Sequence, residues 1–197
     1  MISKVLKTYN KSIRASSVYD IAEVTPLTRA NTLSKSSKNN IFLKREDLQP
    51  IFSFKLRGAY NKLSKLKQKG SSSAVVAASA GNHAQGVAYS AKKLGLKSII
   101  VMPITTPLIK INAVKNFGGK VVLYGDNFDE AYEHATMLAK KEDYSFIPPY
   151  DDKDVIAGQG TIGKEILEQA DFKVNAVFVP VGGGGLLAGI GTYIKSE

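Results

Sequence analysis

Ala74-Val75-Val76-Ala77-Ala78-Ser79-Ala80-Gly81-Asn82-His83-Ala84-Gln85-Gly86 is the stretch on which the fold turns. Five small apolar residues without alternation suit a parallel strand covered on both faces. The glycine turn and helix-compatible run that follow supply the crossover. The pattern recurs along the chain, with β-prone runs at Ser98–Met102, Lys120–Tyr124 and Tyr144–Ile147 separated by helical segments 83–94, 107–117 and 127–141. Strand centres fall roughly 22 to 24 residues apart, the spacing of βαβ units. The fold class is therefore α/β, with open parallel sheets and flanking helices.

Working toward the N-terminus, a helix is predicted from about Lys55 to Lys69, closed by Gly70. Ile41–Lys44 reads as a short strand broken by Arg45-Glu46-Asp47-Leu48-Gln49-Pro50. Residues 1–40 are expected to begin with one helix ending around Tyr19 to Ala22, followed by Thr25-Pro26-Leu27-Thr28 and a polar turn over Ser34–Asn40. Toward the C-terminus, Pro148-Pro149-Tyr150-Asp151-Asp152 interrupts the series as a plausible domain crossing. Val155–Ala170 is predicted helical, Ala176–Val181 a buried strand, and Leu186–Ile194 a further helix after the glycines Gly182 to Gly185.

The chain of 197 residues is 44% hydrophobic, enough for a core, and carries a net charge of +10. The excess lies in residues 1–70, with 15 Lys/Arg against 4 Asp/Glu. The run Lys62-Leu63-Ser64-Lys65-Leu66-Lys67-Gln68-Lys69 could face nucleic acid or a membrane surface, but its leucines recur at helical spacing, so a solvated helix face is preferred. The sequence contains no cysteine, which rules out disulfides and thiolate metal sites. Neither a signal-peptide core nor an apolar run of membrane-spanning length is present, and a cytoplasmic protein is expected.

Three stretches carry candidate chemistry. In Ser53-Phe54-Lys55-Leu56-Arg57-Gly58-Ala59-Tyr60, Phe52 and Phe54 are expected to desolvate Lys55 so that its amine can be neutral near pH 7, with Ser53 and Gly58 leaving room for a ligand. A surface lysine is the plainer alternative. Val181-Gly182-Gly183-Gly184-Gly185-Leu186 follows an expected strand and opens a helix, presenting backbone N–H groups to a phosphate. No lysine follows at P-loop spacing, which argues against nucleoside triphosphate hydrolysis. Ser79, Ala80, Gly81, Asn82 and His83 lie at a strand's carboxyl end, where open parallel sheets bind ligands, and can hold a carboxylate there. Asn82 read simply as a helix cap is the alternative.

Gly158-Gln159-Gly160-Thr161-Ile162-Gly163 matches a dinucleotide fingerprint formally, but no strand precedes it and no acid follows at the ribose position. His134 is expected to be a surface or packed histidine. Asp151, Asp152 and Asp154 read as turn and cap residues.

These stretches, with Lys44-Arg45-Glu46-Asp47 and Gln49-Pro50, resemble in order and separation the fold-type II pyridoxal-phosphate enzymes, most closely the biosynthetic threonine dehydratases. The resemblance implies pyridoxal 5'-phosphate held covalently by Lys55, its phosphate bound by Gly182, Gly183, Gly184, Gly185 and Leu186, and its ring hydroxyl met by Asn82. It also implies a small-molecule amino-acid substrate whose carboxylate lies at Ser79 to His83. The reaction implied is deamination of L-threonine to 2-oxobutanoate and ammonia, a first step toward isoleucine, with Lys55 as the catalytic base. No metal, nucleic acid or membrane is implied; the full-length form is expected to be a homo-oligomer.

In that picture residues 1–55 and 151–197 form part of a large cofactor domain and residues 56–150 a small domain that closes on the substrate. The family continues beyond its glycine loop and draws from there a serine for the pyridine nitrogen. The chain is accordingly expected to be a fragment with an incomplete large domain and an exposed, association-prone sheet edge. Serine dehydratase or serine racemase, and a non-catalytic phosphate-binding remnant or basic nucleic-acid module, are the alternative readings.

Overall fold

The β-prone runs find one another. In the computed structural model, which describes residues 2–70 and 74–197, the chain order is α1 (Ile2–Arg14), β1 (Leu27–Arg29), α2 (Asn31–Ser37), β2 (Phe42–Lys44) and α3 (Lys55–Gln68). β3 (Ala74–Ala78), α4 (Asn82–Leu94), β4 (Lys97–Met102), α5 (Leu108–Asn116), β5 (Lys120–Leu123), α6 (Phe128–Lys141) and β6 (Ser145–Phe146) follow. α7 (Lys153–Gln169) and α8 (Gly185–Ser196) complete the chain.

β3 to β6 form one parallel sheet of order β5-β4-β3-β6, with Val76 opposite Ile99 and Phe146, and Ile100 opposite Val121. Both faces of β3 and β4 are covered, which accounts for their nearly unbroken apolar runs. Val75, Ala77, Ile100 and Met102 pack with Leu63, Val87, Ala88, Ala91 and Val114 from α3, α4 and α5. On the other face Ala74, Val76, Ala78 and Val101 meet Ala131, Ala135 and Ala139 of α6, whose four-residue spacing makes a small-residue stripe. Outside this sheet, β1 and β2 pair antiparallel, with Leu27 opposite Lys44. Helices α1, α7 and α8 pack together through Ile13, Ala157 and Tyr193.

Three expectations need correcting. The first helix ends at Arg14, and a single 3-10 turn at Val18–Asp20 occupies the predicted helix end, its Val18 buried with Ile51 and Leu56. The polar stretch from Ser34 instead completes α2, which Lys38 terminates in the left-handed conformation.

Residues 174–181 form no strand. Val177 and Val179 rest on the cluster of Ile162, Ile166 and Ile190, while Phe178 is 95% exposed. A strand exists only through a ladder, and no neighbour among the described residues supplies one.

Candidate active site

Lys55 is the first residue of α3, and its side chain is half-buried. Burial holds its amine below the usual lysine range. The amine donates to the carbonyl of Pro149 at 2.7 Å and sits 5.6 Å from the centre of the Phe54 ring. Phe54 thus supplies apolar cover as expected, whereas Phe52 is 77% exposed and does not. A φ of 57° turns the Phe52 backbone into the left-handed region and its ring outward.

Gly58 leaves no ligand space either. A β-carbon there would lie 2.5 Å from Gln159 and 2.8 Å from Val155, so its missing side chain admits α7. Gly86 likewise serves packing: a β-carbon there would lie 3.1 Å from the Lys55 carbonyl oxygen, so this glycine lets α4 come close to the lysine's backbone.

His83 lies beside Asn82 in the first turn of α4 and is buried. Its Nε2 stands 3.0 Å from the Ile147 carbonyl oxygen. Burial is the main reason its pKa falls to about 4, with the charge of Lys55 acting in the same direction, so the ring is neutral and Nε2 donates. The Ser79 hydroxyl accepts from the Gly81 N–H at 3.2 Å, shaping the turn at the carboxyl end of β3. Asn82 is exposed on the rim of that turn.

The glycine loop reaches the same region from the other side. Gly184 has a φ of 83° and leads into α8, whose first turn begins at the buried Gly185. β-carbons at Gly182 or Gly184 would meet nothing within 4 Å, so this part of the loop is open above its backbone. At Gly183 a β-carbon would fall 2.2 Å from the Tyr150 ring, and at Gly185 2.6 Å from the Tyr150 carbonyl oxygen.

Residues 147–150 therefore form a strap with Lys55 and His83 holding its first part and the glycine loop against its last. Sequence reasoning read this segment only as a crossing. Its contacts to His83 and Lys55 lie 64 and 94 residues away along the chain, and the paired prolines, which stiffen it and cannot donate backbone hydrogen bonds, were the available signal.

The other candidates fall outside this cluster. Gly158 to Gly163 are interior to α7, not a strand-to-helix turn, so the dinucleotide alternative has no structural basis. His134 stacks on Tyr124 at 3.9 Å. Asp152 caps α7, accepting from the backbone N–H groups of Asp154 and Val155. The basic run is not a free cationic face: Lys62 pairs with Asp152 at 2.6 Å, Lys65 with Asp154 at 2.8 Å, and Lys67 donates to the Leu94 carbonyl.

Residues 18–197 match the family described as pyridoxal-phosphate dependent enzyme. The chain belongs to that family. Its open glycine nest at a helix N-terminus and its desolvated lysine amine fit the two ends of such a cofactor.

Among members, the chain is 57% identical over 187 residues to the chloroplastic biosynthetic threonine dehydratase of Arabidopsis thaliana, covering 95% of this chain and 32% of that one. It is 55% identical to the biosynthetic L-threonine dehydratase of Pasteurella multocida, covering 95% and 36%. The processed form of threonine deaminase isoform 2 from Solanum lycopersicum superposes with a TM-score of 0.93 at 53% identity, covering 98% of this chain and 53% of that one. The chain thus spans about a third of the length of these curated relatives. Their compartments vary: a Schizosaccharomyces pombe relative is mitochondrial. No helix among the described residues is long and apolar enough to cross a membrane.

Proposed function

We propose that the chain is the lysine-bearing part of a pyridoxal-phosphate dependent threonine dehydratase, converting L-threonine to 2-oxobutanoate and ammonia. The observation that carries the reading is the convergence of the desolvated Lys55 amine and the open glycine loop on one strap, residues 147–150. The identities of 55 to 57% to proteins named threonine dehydratase support the substrate.

In this reading Lys55 anchors the cofactor and later takes the α-proton on Nζ. Both tasks need a neutral amine, which its burial favours. The N–H groups from Gly182 to Leu186 bind the phosphate at the positive end of α8. Asn82 meets the ring hydroxyl, and the turn Ser79 to His83, at the N-terminus of α4, holds the substrate carboxylate. His83, neutral and tied to Ile147, adds no charge there. Bound pyridoxal phosphate supplies an electron sink for the α-carbon, so that proton removal and loss of the β-hydroxyl become accessible.

The test is reduction with borohydride after incubation with pyridoxal phosphate, followed by peptide mapping. Label is expected at Lys55, with its excess over surface lysines greatest below their ordinary pKa, where only a depressed amine is neutral. Label scattered over surface lysines would refute the site. Turnover of threonine against serine, with D-serine as a further product, separates the dehydratase from racemase activity.

A further inference from the structure

Arg57, two residues beyond Lys55 in the first turn of α3, is fully buried. Its Nε and Nη2 donate to the two oxygens of Glu46 at 2.8 and 2.7 Å. Nη1 and Nη2 donate to the two oxygens of Glu165 at 2.5 and 3.0 Å, Nη1 also to Thr161 Oγ1 and Nη2 to the Glu23 carbonyl. Burial opposes the guanidinium charge, but the two carboxylates outweigh it and push its pKa up.

The carboxylates are fixed in turn. Thr25 Oγ1 donates to Glu46 at 2.6 Å, and Lys44 pairs with Glu165 at 2.5 Å while donating to Gln169 at 2.9 Å. Two cations and two anions thus balance inside the protein, drawn from β2, the turn at Glu46, α3 and α7, with Thr25 as a neutral donor.

Such a cluster is a poor source of stability, because the cost of desolvating four ions offsets most of their mutual attraction, and well-packed apolar residues of similar volume stabilise as well or better. What it does give is geometry. A guanidinium gripped by two forks has one orientation, and that fixes the start of α3 against α7 and the β2 segment.

We propose that Arg57, clamped between Glu46 and Glu165 with Lys44 as the balancing cation, is the positioning residue that holds the Lys55 amine on the strap beside the glycine loop. The proposal rests on the reading of Lys55 as the cofactor lysine, and its test separates the two.

Competitive acetylation of the whole chain with limiting acetic anhydride, followed lysine by lysine across pH by mass spectrometry, reads the Lys55 amine with no cofactor present. Pyridoxal phosphate trapping by borohydride is the second readout. In Arg57→Lys, which keeps the charge and loses the fork, Lys55 is expected to titrate higher, toward the surface lysines. Its trapping should fall about tenfold while circular dichroism stays native. A folded Arg57→Lys with wild-type Lys55 titration and trapping overturns the proposal.

Should that variant not fold, the charge-balanced pair Lys44→Met with Glu165→Gln removes one fork and keeps the other. It is expected to move both readouts the same way by a few-fold, and unchanged readouts in it overturn the proposal equally. A wild-type Lys55 that titrates low but traps no cofactor fails the cofactor reading alone, and the comparison of acetylation profiles still decides the clamp.

Discussion

Gly183 has no room for a side chain because the Tyr150 ring already occupies it, with ring atoms 2.2 to 2.4 Å from where a β-carbon would stand. That contact makes the loop's backbone and the strap a single fitted unit. Gly183→Ala must therefore drive Tyr150 aside or distort the loop. Half-saturating pyridoxal phosphate in the trapping assay is expected to rise about tenfold or more, since phosphate recognition by backbone N–H groups depends on their convergence. Tyr150→Ala in the same chain should recover much of the loss, a non-additivity that marks a direct contact. Equal loss in the double variant would mean that Tyr150 is not the obstacle.

Lys55 was legible as a candidate in the sequence because its neighbours and the two glycine turns follow a recognisable order. Tyr150 was not, because an aromatic after two prolines looks the same whether it faces solvent or a loop 33 residues further along. Gly58 was misread for a related reason: a glycine that admits a ligand and one that admits a helix have identical local sequence.

At the scale of elements, the glycines of α7 have a structural explanation that its motif concealed. A β-carbon at Gly158 would stand 2.6 Å from the Arg57 carbonyl oxygen and 2.8 Å from the Gly58 Cα, so α3 and α7 touch backbone to backbone. Gly158→Ala gains up to about 1 kcal/mol of helix propensity. It meets backbone atoms that cannot rotate away, an overpacking cost of about 1–3 kcal/mol or more. Net destabilisation is expected, read as a lower denaturation midpoint, with Lys55 trapping reduced as α3 shifts. An unchanged midpoint and unchanged trapping would show that the helices separate freely. The sheet strands β3 to β5 were legible to within about a residue: burial on both faces imposes an apolar run on β3 and β4, and the β-branched pair Val121-Val122 marks the less buried edge strand β5. Residues 174–181 are also rich in β-branched residues, with Val177 and Val179 facing the core, yet remain unpaired. Pairing is decided by a neighbour, which no local pattern reveals. The first 40 residues were legible least well, because a three-residue strand and a seven-residue helix are too short to develop a period.

For the whole molecule, titration links the site to stability. α3 and α7 are pinned by Lys62 and Lys65 on Asp152 and Asp154. Burial alone would raise the Asp154 pKa, but Lys65 and then Lys62 hold it below its ordinary value. A carboxylate depressed on folding stabilises above its unfolded pKa and loses that stability as pH falls below about 4.

His83 acts in a different window. Its pKa is about 4 when folded and 6.5 otherwise, so between these values the unfolded chain binds the additional proton. Stability must then rise with pH from about 4 to 6.5 and level off above, by a total on the order of 3 kcal/mol at about 1.4 kcal/mol per unit. Unfolding by urea at pH 7, 5 and 4 should show this decline in the wild type. His83→Gln keeps an N–H able to reach the Ile147 carbonyl and cannot titrate, so its stability should be nearly level over the same interval. A decline of equal size in His83→Gln would place the titrating group elsewhere. The residue that joins the Ser79–His83 turn to the strap would then have no part in the protein's acid sensitivity.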